Sequence, residues 1–91
     1  MKRCLKMIIN TDQWDSDWGP QIQKQAKKLE IEGLMQAIDI HQMRVMICGE
    51  DHNLDDFVDY LYDFFSKIEA DITDLEPFIK ERDFRGIFRV I

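Results

Sequence analysis

The hydrophobic residues of the chain fall into short apolar runs and two longer stretches with helical spacing. The short runs are bounded by turn-forming residues, which is typical of strands. They predict five strands, over residues 4–9, 34–38, 43–47, 70–78 and 87–91. The second and third of these are joined by residues 39–42, a connection short enough for a hairpin. Pro77 indicates that the fourth strand ends there or lies at a sheet edge.

Two stretches repeat their apolar residues at the period of an α-helix. The first starts near Pro20, which suits the first helical position because its missing amide hydrogen costs little there. We expect this helix to end at Glu32-Gly33. Its narrow apolar stripe consists of Ile22, Ala26 and Leu29. The second helix has a broad apolar face, which we interpret as core, formed by Leu54, Phe57, Val58, Leu61, Phe64, Phe65 and Ile68.

The polar faces of the two predicted helices carry opposite charges. The first helix exposes three lysines, which we interpret as a solvated face, namely Lys24, Lys27 and Lys28. The second has an aspartate at every fourth position, a series called here the aspartate ridge: Asp51, Asp55, Asp59 and Asp63. Like charges at this spacing disfavour a helix slightly. The ridge is interpreted as solvated surface, with contact to a basic partner as the alternative.

The order of elements is β-α-β-β-α-β-β, and residues 1–91 are predicted to form a single domain. Each strand-helix-strand half prefers a right-handed crossover, which places both helices on one face of the sheet. The predicted fold is therefore the α+β ferredoxin-like split βαβ sandwich, with a mixed, mostly antiparallel sheet. This fold serves many unrelated activities, so the function has to come from a site.

Composition and charge exclude several classes of function. The net charge of −6 argues against nucleic acid and anionic membranes as partners, because both need a basic face. No apolar run approaches a membrane span and the N-terminus does not resemble a signal peptide, so a cytoplasmic location is expected. Cys4 and Cys48 are expected to be reduced, half-buried strand residues. His41 and His52 are isolated from each other and from the cysteines, so neither is a catalytic or zinc-site candidate.

The most informative stretch is residues 10–20, NTDQWDSDWGP, between the first strand and the first helix. Loops in this position often hold a ligand, because the first amides of a helix have no partners within it. This loop contains two tryptophans and three aspartates, and no Lys or Arg occurs between Met7 and Lys24. The candidate binding residues are Asp12, Trp14, Asp15, Asp17 and Trp18.

Several features recur together along the chain: Ala26-x-x-Leu29-x-x-x-Gly33, the following hairpin, Val45, Gly49, the amphipathic second helix and Phe88-x-Val90. In this pattern the whole chain resembles the acylphosphatase family. The resemblance implies a small cofactor-free enzyme that hydrolyses carboxyl-phosphate bonds. In that family a loop of the form GRVQGVGFR cradles the phosphate with its amides and closing arginine, and an asparagine in a segment like GWVRN positions the attacking water.

Both catalytic positions of the family are altered here. The closing arginine falls on Gly19, and the water-positioning asparagine falls on Ala37. Asp15 and Asp17 add negative charge, and a phosphate dianion about 5 Å from one aspartate is repelled by roughly 1.5 kcal/mol or more. Losing the arginine and an orienting side chain should remove several kcal/mol of transition-state stabilisation. We therefore expect no catalytic residues, no cofactor and no metal.

The leading hypothesis is a catalytically inactive acylphosphatase-like domain that binds another protein. Trp14 and Trp18 would either anchor the partner or plug the vacated pocket. The alternative is an acylphosphatase-type hydrolase with weak or altered activity, for which Arg3 or Arg44 would supply the cation. A third reading is cation binding by Asp12-x-x-Asp15-x-Asp17, although calcium needs more oxygen ligands than this loop offers.

Overall fold

The computed structural model describes residues 2–12, 14–79 and 84–91. In chain order the elements are β1 (Lys2–Asn10), α1 (Trp18–Lys28), β2 (Glu32–Ala37), β3 (Gln42–Glu50), α2 (Asp51–Ser66), β4 (Asp71–Pro77) and β5 (Phe88–Val90). The predicted order of elements is confirmed, and the two helices pack on a five-stranded sheet. The ferredoxin-like α+β fold is therefore correct.

The strands lie in the order β4-β1-β3-β2-β5 across the sheet. Neighbouring strands are antiparallel except β2 and β5, which are parallel. The sheet is thus mixed and mostly antiparallel, as predicted. β4 is an edge strand and Pro77 is its last residue, so the missing amide hydrogen of this proline interrupts no ladder between two inner strands.

The main core lies between the helices and one face of the sheet. Alternate residues of the two central strands point into it, so Met7 and Ile9 of β1 pack with Val45 and Ile47 of β3. The helices contribute Ile22, Ala26, Leu54, Phe57, Leu61 and Phe65, all of them fully buried. The residues between these strand positions lie on the opposite face of the sheet.

The first helix differs from its predicted bounds at both ends. It begins at Trp18, two residues before Pro20, which still lies in the first turn where amide hydrogens have no helical acceptor. It ends at Lys28, and the chain then reverses at Glu30, whose φ is 56°. The prediction that Glu32-Gly33 ends the helix is wrong, because both residues belong to β2. Gly33 lies inside β2, where the absence of a side chain allows the backbone of β3 to approach closely.

Cys4 and Cys48 form a disulfide, so the prediction that both are reduced is wrong. They face each other in the register of β1 and β3, with their Cα atoms 4.1 Å apart. The prediction used only their separation along the chain and the usual state of thiols in the cytoplasm. The pairing follows from strand register, which brings together residues 44 positions apart.

Between the predicted fourth and fifth strands, residues 80–83 lie outside the described residues. Phe84 to Gly86 form a turn in which the Ile87 amide donates to the Phe84 carbonyl at 3.2 Å. Among the helices that the structure describes, none is long and apolar enough to cross a membrane.

Candidate functional site

The connection between β1 and α1 is organised by Asp15. Its carboxylate oxygen Oδ1 accepts the Asp17 amide at 2.8 Å, and its main-chain carbonyl accepts the Trp18 amide at 3.1 Å. A carboxylate that bonds the amide two residues later forms an Asx-turn, which is a common way to start a helix. Asp15 therefore uses amides at the start of α1 that could otherwise bind an anion.

The tryptophans of this connection pack against the main core. The Trp14 and Trp18 rings meet edge to face, with their centroids 4.9 Å apart. Phe65 of α2 lies 6.4 Å from the Trp14 ring and 6.0 Å from the Trp18 ring. Both tryptophans are only half-buried, so each combines a packed face with an accessible one. This geometry is compatible with both the plug and the anchor interpretation.

The positions predicted to correspond to the family's arginine and asparagine lie in different environments. Gly19 is buried in the first turn of α1, and a Cβ placed on it would lie 3.1 Å from Val90 Cγ1 of β5. A larger residue at this position therefore requires Val90 to move. Ala37 is the exposed last residue of β2, where it pairs with Met43. Ala37 leaves more room for substitution than Gly19.

An acidic hollow lies beside the loop at the same end of the sheet. The Thr11 amide donates to the His41 carbonyl at 2.9 Å, which joins the loop to the β2–β3 hairpin. The hollow is lined by Asn10, Thr11, Asp12, Asp39, His41, Gln42, Glu69 and Asp71. No Lys or Arg is among these lining residues. The carboxylates of Asp39, Glu69 and Asp71 thus extend the negative surface that begins at Asp12.

A chain of side-chain hydrogen bonds holds the strands together beneath this hollow. Gln42 Nε2 donates to Asn10 Oδ1 at 2.9 Å, and Asn10 Nδ2 donates to Thr73 Oγ1 at 3.0 Å. The chain crosses β3, β1 and β4 at the level where β1 ends. Asn10, the asparagine nearest to the loop in sequence, therefore has both amide atoms engaged.

Neither arginine considered as a substitute cation lies at the loop. Arg3 is near the opposite end of β1, about 23 Å from Asn10 at the usual rise per strand residue. Arg44 lies opposite Ile8 and Gln36 on the sheet face away from the helices, where it donates to Gln36 Oε1 at 3.2 Å. The tryptophans pack on the other face, so Arg44 points away from them.

The aspartate ridge is partly neutralised within the molecule, since two cations pair with three of its four carboxylates. Arg3 pairs with both Asp51 and Asp55, at 2.7 and 2.8 Å. Asp63 pairs with Lys67 one turn later at 3.1 Å. In the part of the chain that the structure describes, Asp59 is the ridge member for which no ion pair is seen. The ridge is consequently a weaker attractor for a basic partner than its sequence suggests.

The two histidines lie apart from each other. His52 lies on α2 next to Asp56, at 3.6 Å, and His41 is at the tip of the hairpin. Across residues 2–12, 14–79 and 84–91, no group of three or more His, Cys, Asp or Glu side chains is arranged to hold a metal ion.

Sequence reasoning missed two features of this end of the molecule. It did not assign a structural role to Asp15, although an Asp shortly before a helix start is a usable signal for an Asx-turn. It also left out Asp39 of the β2–β3 hairpin, Glu69 of the α2–β4 connection and Asp71, the first residue of β4. Nothing local in the sequence indicates that these connections meet the loop.

The fold is shared with solved acylphosphatases. The chain superposes on an acylphosphatase from Coxiella burnetii with a TM-score of 0.74 and 16% identity, covering 99% of this chain and 93% of that one. For acylphosphatase from Bacillus subtilis the TM-score is 0.68 with 18% identity, covering 100% and 99%. For HypF of T. kodakarensis it is 0.70 with 16% identity, covering 100% of this chain and 12% of that one.

The resemblance to acylphosphatases predicted from the sequence is thus confirmed at the level of fold. No protein-family model and no curated protein matches the sequence itself.

Proposed function

We propose that this chain is an interaction module with an acylphosphatase fold, and that it binds a basic segment of another protein. The surface assigned to this role is the acidic end: the loop residues Asp12, Trp14, Asp15, Asp17 and Trp18 together with Asp39 of the hairpin. The observation that carries the proposal is the engagement of the helix-start amide by Asp15, which supplies a carboxylate where an acylphosphatase would bind an anion.

Electrostatics favours a cationic partner at this end. The side chains of Asp12, Asp17 and Asp39 are exposed, and the hollow beside them adds Glu69 and Asp71. A cluster of one sign raises the rate of encounter with an oppositely charged partner and disfavours partners of its own sign. The same charges would repel an acyl phosphate.

The half-buried tryptophans could supply the apolar part of such an interface. Tryptophan is enriched in interface hot spots, where a rigid ring is desolvated by the partner. Trp14 and Trp18 each keep an accessible face while their other faces pack on Phe65. A partner would therefore meet rings that are already oriented by the core.

The chain's own fluorescence can test this proposal, because Trp14 and Trp18 are its only tryptophans. An octa-arginine peptide titrated into the protein should shift the emission, whereas an octa-glutamate peptide should not. The triple variant Asp12→Asn, Asp17→Asn, Asp39→Asn should weaken peptide binding by about tenfold or more, since each lost charge contributes a fraction of a kcal/mol or more. Asp15 is left intact because it forms the Asx-turn before α1. Asp39 Oδ1 accepts the His41 amide at 2.7 Å, and the side-chain oxygen of asparagine can accept the same bond.

A variant with the same change in charge serves as the control. Asp55→Asn, Asp59→Asn, Asp63→Asn removes three of the four charges of the aspartate ridge and should change the affinity less than the loop variant does. Equal weakening by both variants would show that net charge alone attracts the peptide, and the assignment to the loop would be wrong. Stronger weakening by the ridge variant would move the binding surface to α2.

The alternative function is hydrolysis of carboxyl-phosphate bonds with weak or altered activity, which the fold of the acylphosphatases from Coxiella burnetii and Bacillus subtilis supports. Benzoyl phosphate hydrolysis at high protein concentration tests it. We expect a rate equal to that of buffer. A rate above buffer that disappears in Trp14→Ala would favour the enzyme over the binding module.

The lost-site interpretation has its own test, the double variant Gly19→Arg, Ala37→Asn. Because a side chain at position 19 meets Val90, the variant should be made with Val90→Ala as well as alone. Hydrolysis gained only when both catalytic residues are present would support the assignment of the two positions. A folded triple variant without activity would count against it.

A further inference from the structure

A second apolar cluster lies on the sheet face opposite the helices, and it is built on the disulfide. Its buried members are Leu34, Cys48 and Phe84, with Cys4, Met46 and Phe78 packed against them. We call this group the far-face cluster. It shares no residue with the main core or with the loop of the proposed function.

Phe78 and Phe84, called here the aromatic cover, close the far-face cluster from the chain that follows β4. The Phe78 amide donates to the Cys4 carbonyl at 3.1 Å. Two residues after Phe84, the Gly86 amide donates to the buried carboxylate of Glu32 at 2.9 Å. The chain beside Phe78 is thus bonded to Cys4 itself. The chain beside Phe84 is bonded to Glu32, which lies opposite Cys48 in the register of β2 and β3.

The two cysteines of the bridge differ in exposure. Cys48 is 1% exposed and belongs to β3, which has a strand on each side. Cys4 is only half-buried and lies on β1, next to the edge strand β4. A nucleophile from solvent therefore reaches Cys4 more readily than Cys48.

We propose that the Cys4–Cys48 bridge is a reversible redox site for small-molecule thiols, entered at Cys4, and that its state controls the aromatic cover. A thiolate attacks Cys4 Sγ, a mixed disulfide forms, and the Cys4–Cys48 bond breaks. The bonding electron pair leaves on Cys48 Sγ, which takes a proton from solvent. A second small-molecule thiolate then attacks the small-molecule sulfur of the mixed disulfide. Cys4 leaves as a thiolate, and the two small molecules leave joined as a disulfide.

Reduction should disturb the cover because close-packed side chains have little room to adjust. Two sulfur atoms that are no longer bonded separate from about 2 Å to at least about 3.5 Å. This expansion occurs directly beneath Phe84 and Phe78, in a cluster with few members. The main core on the other face does not contain either sulfur.

The site of entry can be tested with oxidised glutathione and two single variants. In Cys48→Ala the remaining Cys4 thiol should form a mixed disulfide at least about tenfold faster than Cys48 does in Cys4→Ala, because reactivity requires access. Mass spectrometry of the intact proteins measures both rates. Equal rates, or faster modification of Cys48, would overturn the assignment of Cys4 as the entry point.

Amide hydrogen exchange tests the effect on the cover. On reduction of the natural chain, exchange at Phe78 and Gly86 should rise by about tenfold or more, while Val45 in the central strand should change much less. The double variant Cys4→Ala, Cys48→Ala controls for effects of the reductant and should not respond to it. Unchanged exchange at Phe78 and Gly86, or a uniform rise at all amides, would overturn control of the cover.

Discussion

Two glycines with positive φ have very different surroundings. Gly33 in β2 has a φ of 148°, and a Cβ there would lie 1.9 Å from the carbonyl oxygen of Met46. Gly86 in the turn before β5 has a φ of 69°, and a Cβ there would meet nothing within 4 Å. The first glycine is required by the approach of two strands and the second only by its backbone conformation.

This difference predicts unequal costs for the same substitution. Gly33→Ala should lower the free energy of unfolding by at least about 3 kcal/mol, because strand β3 must move as well as the backbone. Gly86→Ala should lower it by about 1 kcal/mol, the usual penalty of a left-handed conformation. Urea unfolding measures both. Similar costs for the two variants would mean that β2 and β3 do not approach as closely as described.

At the scale of elements, Arg3 ties β1 to the beginning of α2. Its guanidinium pairs with Asp51 and Asp55, which lie one turn apart on the helix. Arg3 also offsets the repulsion between those two aspartates, since like charges four residues apart disfavour a helix. Lys67 does the same for Asp63 at the other end of α2. The ridge is therefore a set of ion pairs as much as an acidic surface.

Arg3→Gln should lower the free energy of unfolding by about 0.5–1 kcal/mol at low ionic strength, since the pairs are about half exposed. In about 0.5 M sodium chloride most of this loss should disappear through screening. Lys67→Gln, which removes a single exposed pair within one helix, should cost less. The prediction is tested by urea unfolding at the two salt concentrations; a loss that salt leaves unchanged would contradict it.

At the scale of the whole molecule, the disulfide closes a long loop. It joins residues separated by 44 positions and spans α1, β2 and most of β3. A cross-link stabilises mainly by restricting the unfolded chain, and a loop of this size corresponds to about 4 kcal/mol in the chain-entropy model. The bridge therefore contributes to the stability of a chain with only a modest core.

Reduction should consequently lower the free energy of unfolding by about 3–4 kcal/mol. Urea unfolding with and without a phosphine reductant measures this change, after mass spectrometry has established the redox state. The variant Cys4→Ala, Cys48→Ala should unfold at the same urea concentration in both conditions. Coincident curves for the oxidised and reduced natural chain would contradict the prediction.

The order of the elements, and whether each is a strand or a helix, were predictable from local patterns. The period of apolar residues distinguishes strand from helix, and the helix signal of Leu54 to Phe65 is strong because most of one face is buried. Glu32-Gly33 was mispredicted as a helix end because glycine commonly follows helices. Its actual role depends on Met46, a residue of another strand.

The candidate loop could be identified because its members are contiguous, whereas the rest of the acidic end could not. Asp39, Glu69 and Asp71 reach the loop only because the hairpin and the α2–β4 connection meet at the same end of the sheet. The chain by itself therefore determined which elements form and in what order, since those depend on near neighbours. The tertiary structure decided which residues face one another, including Cys4 with Cys48 and Arg3 with Asp51. The physical reason is strand register: a shift of one residue exchanges the two faces of a strand, and no local pattern specifies the partner.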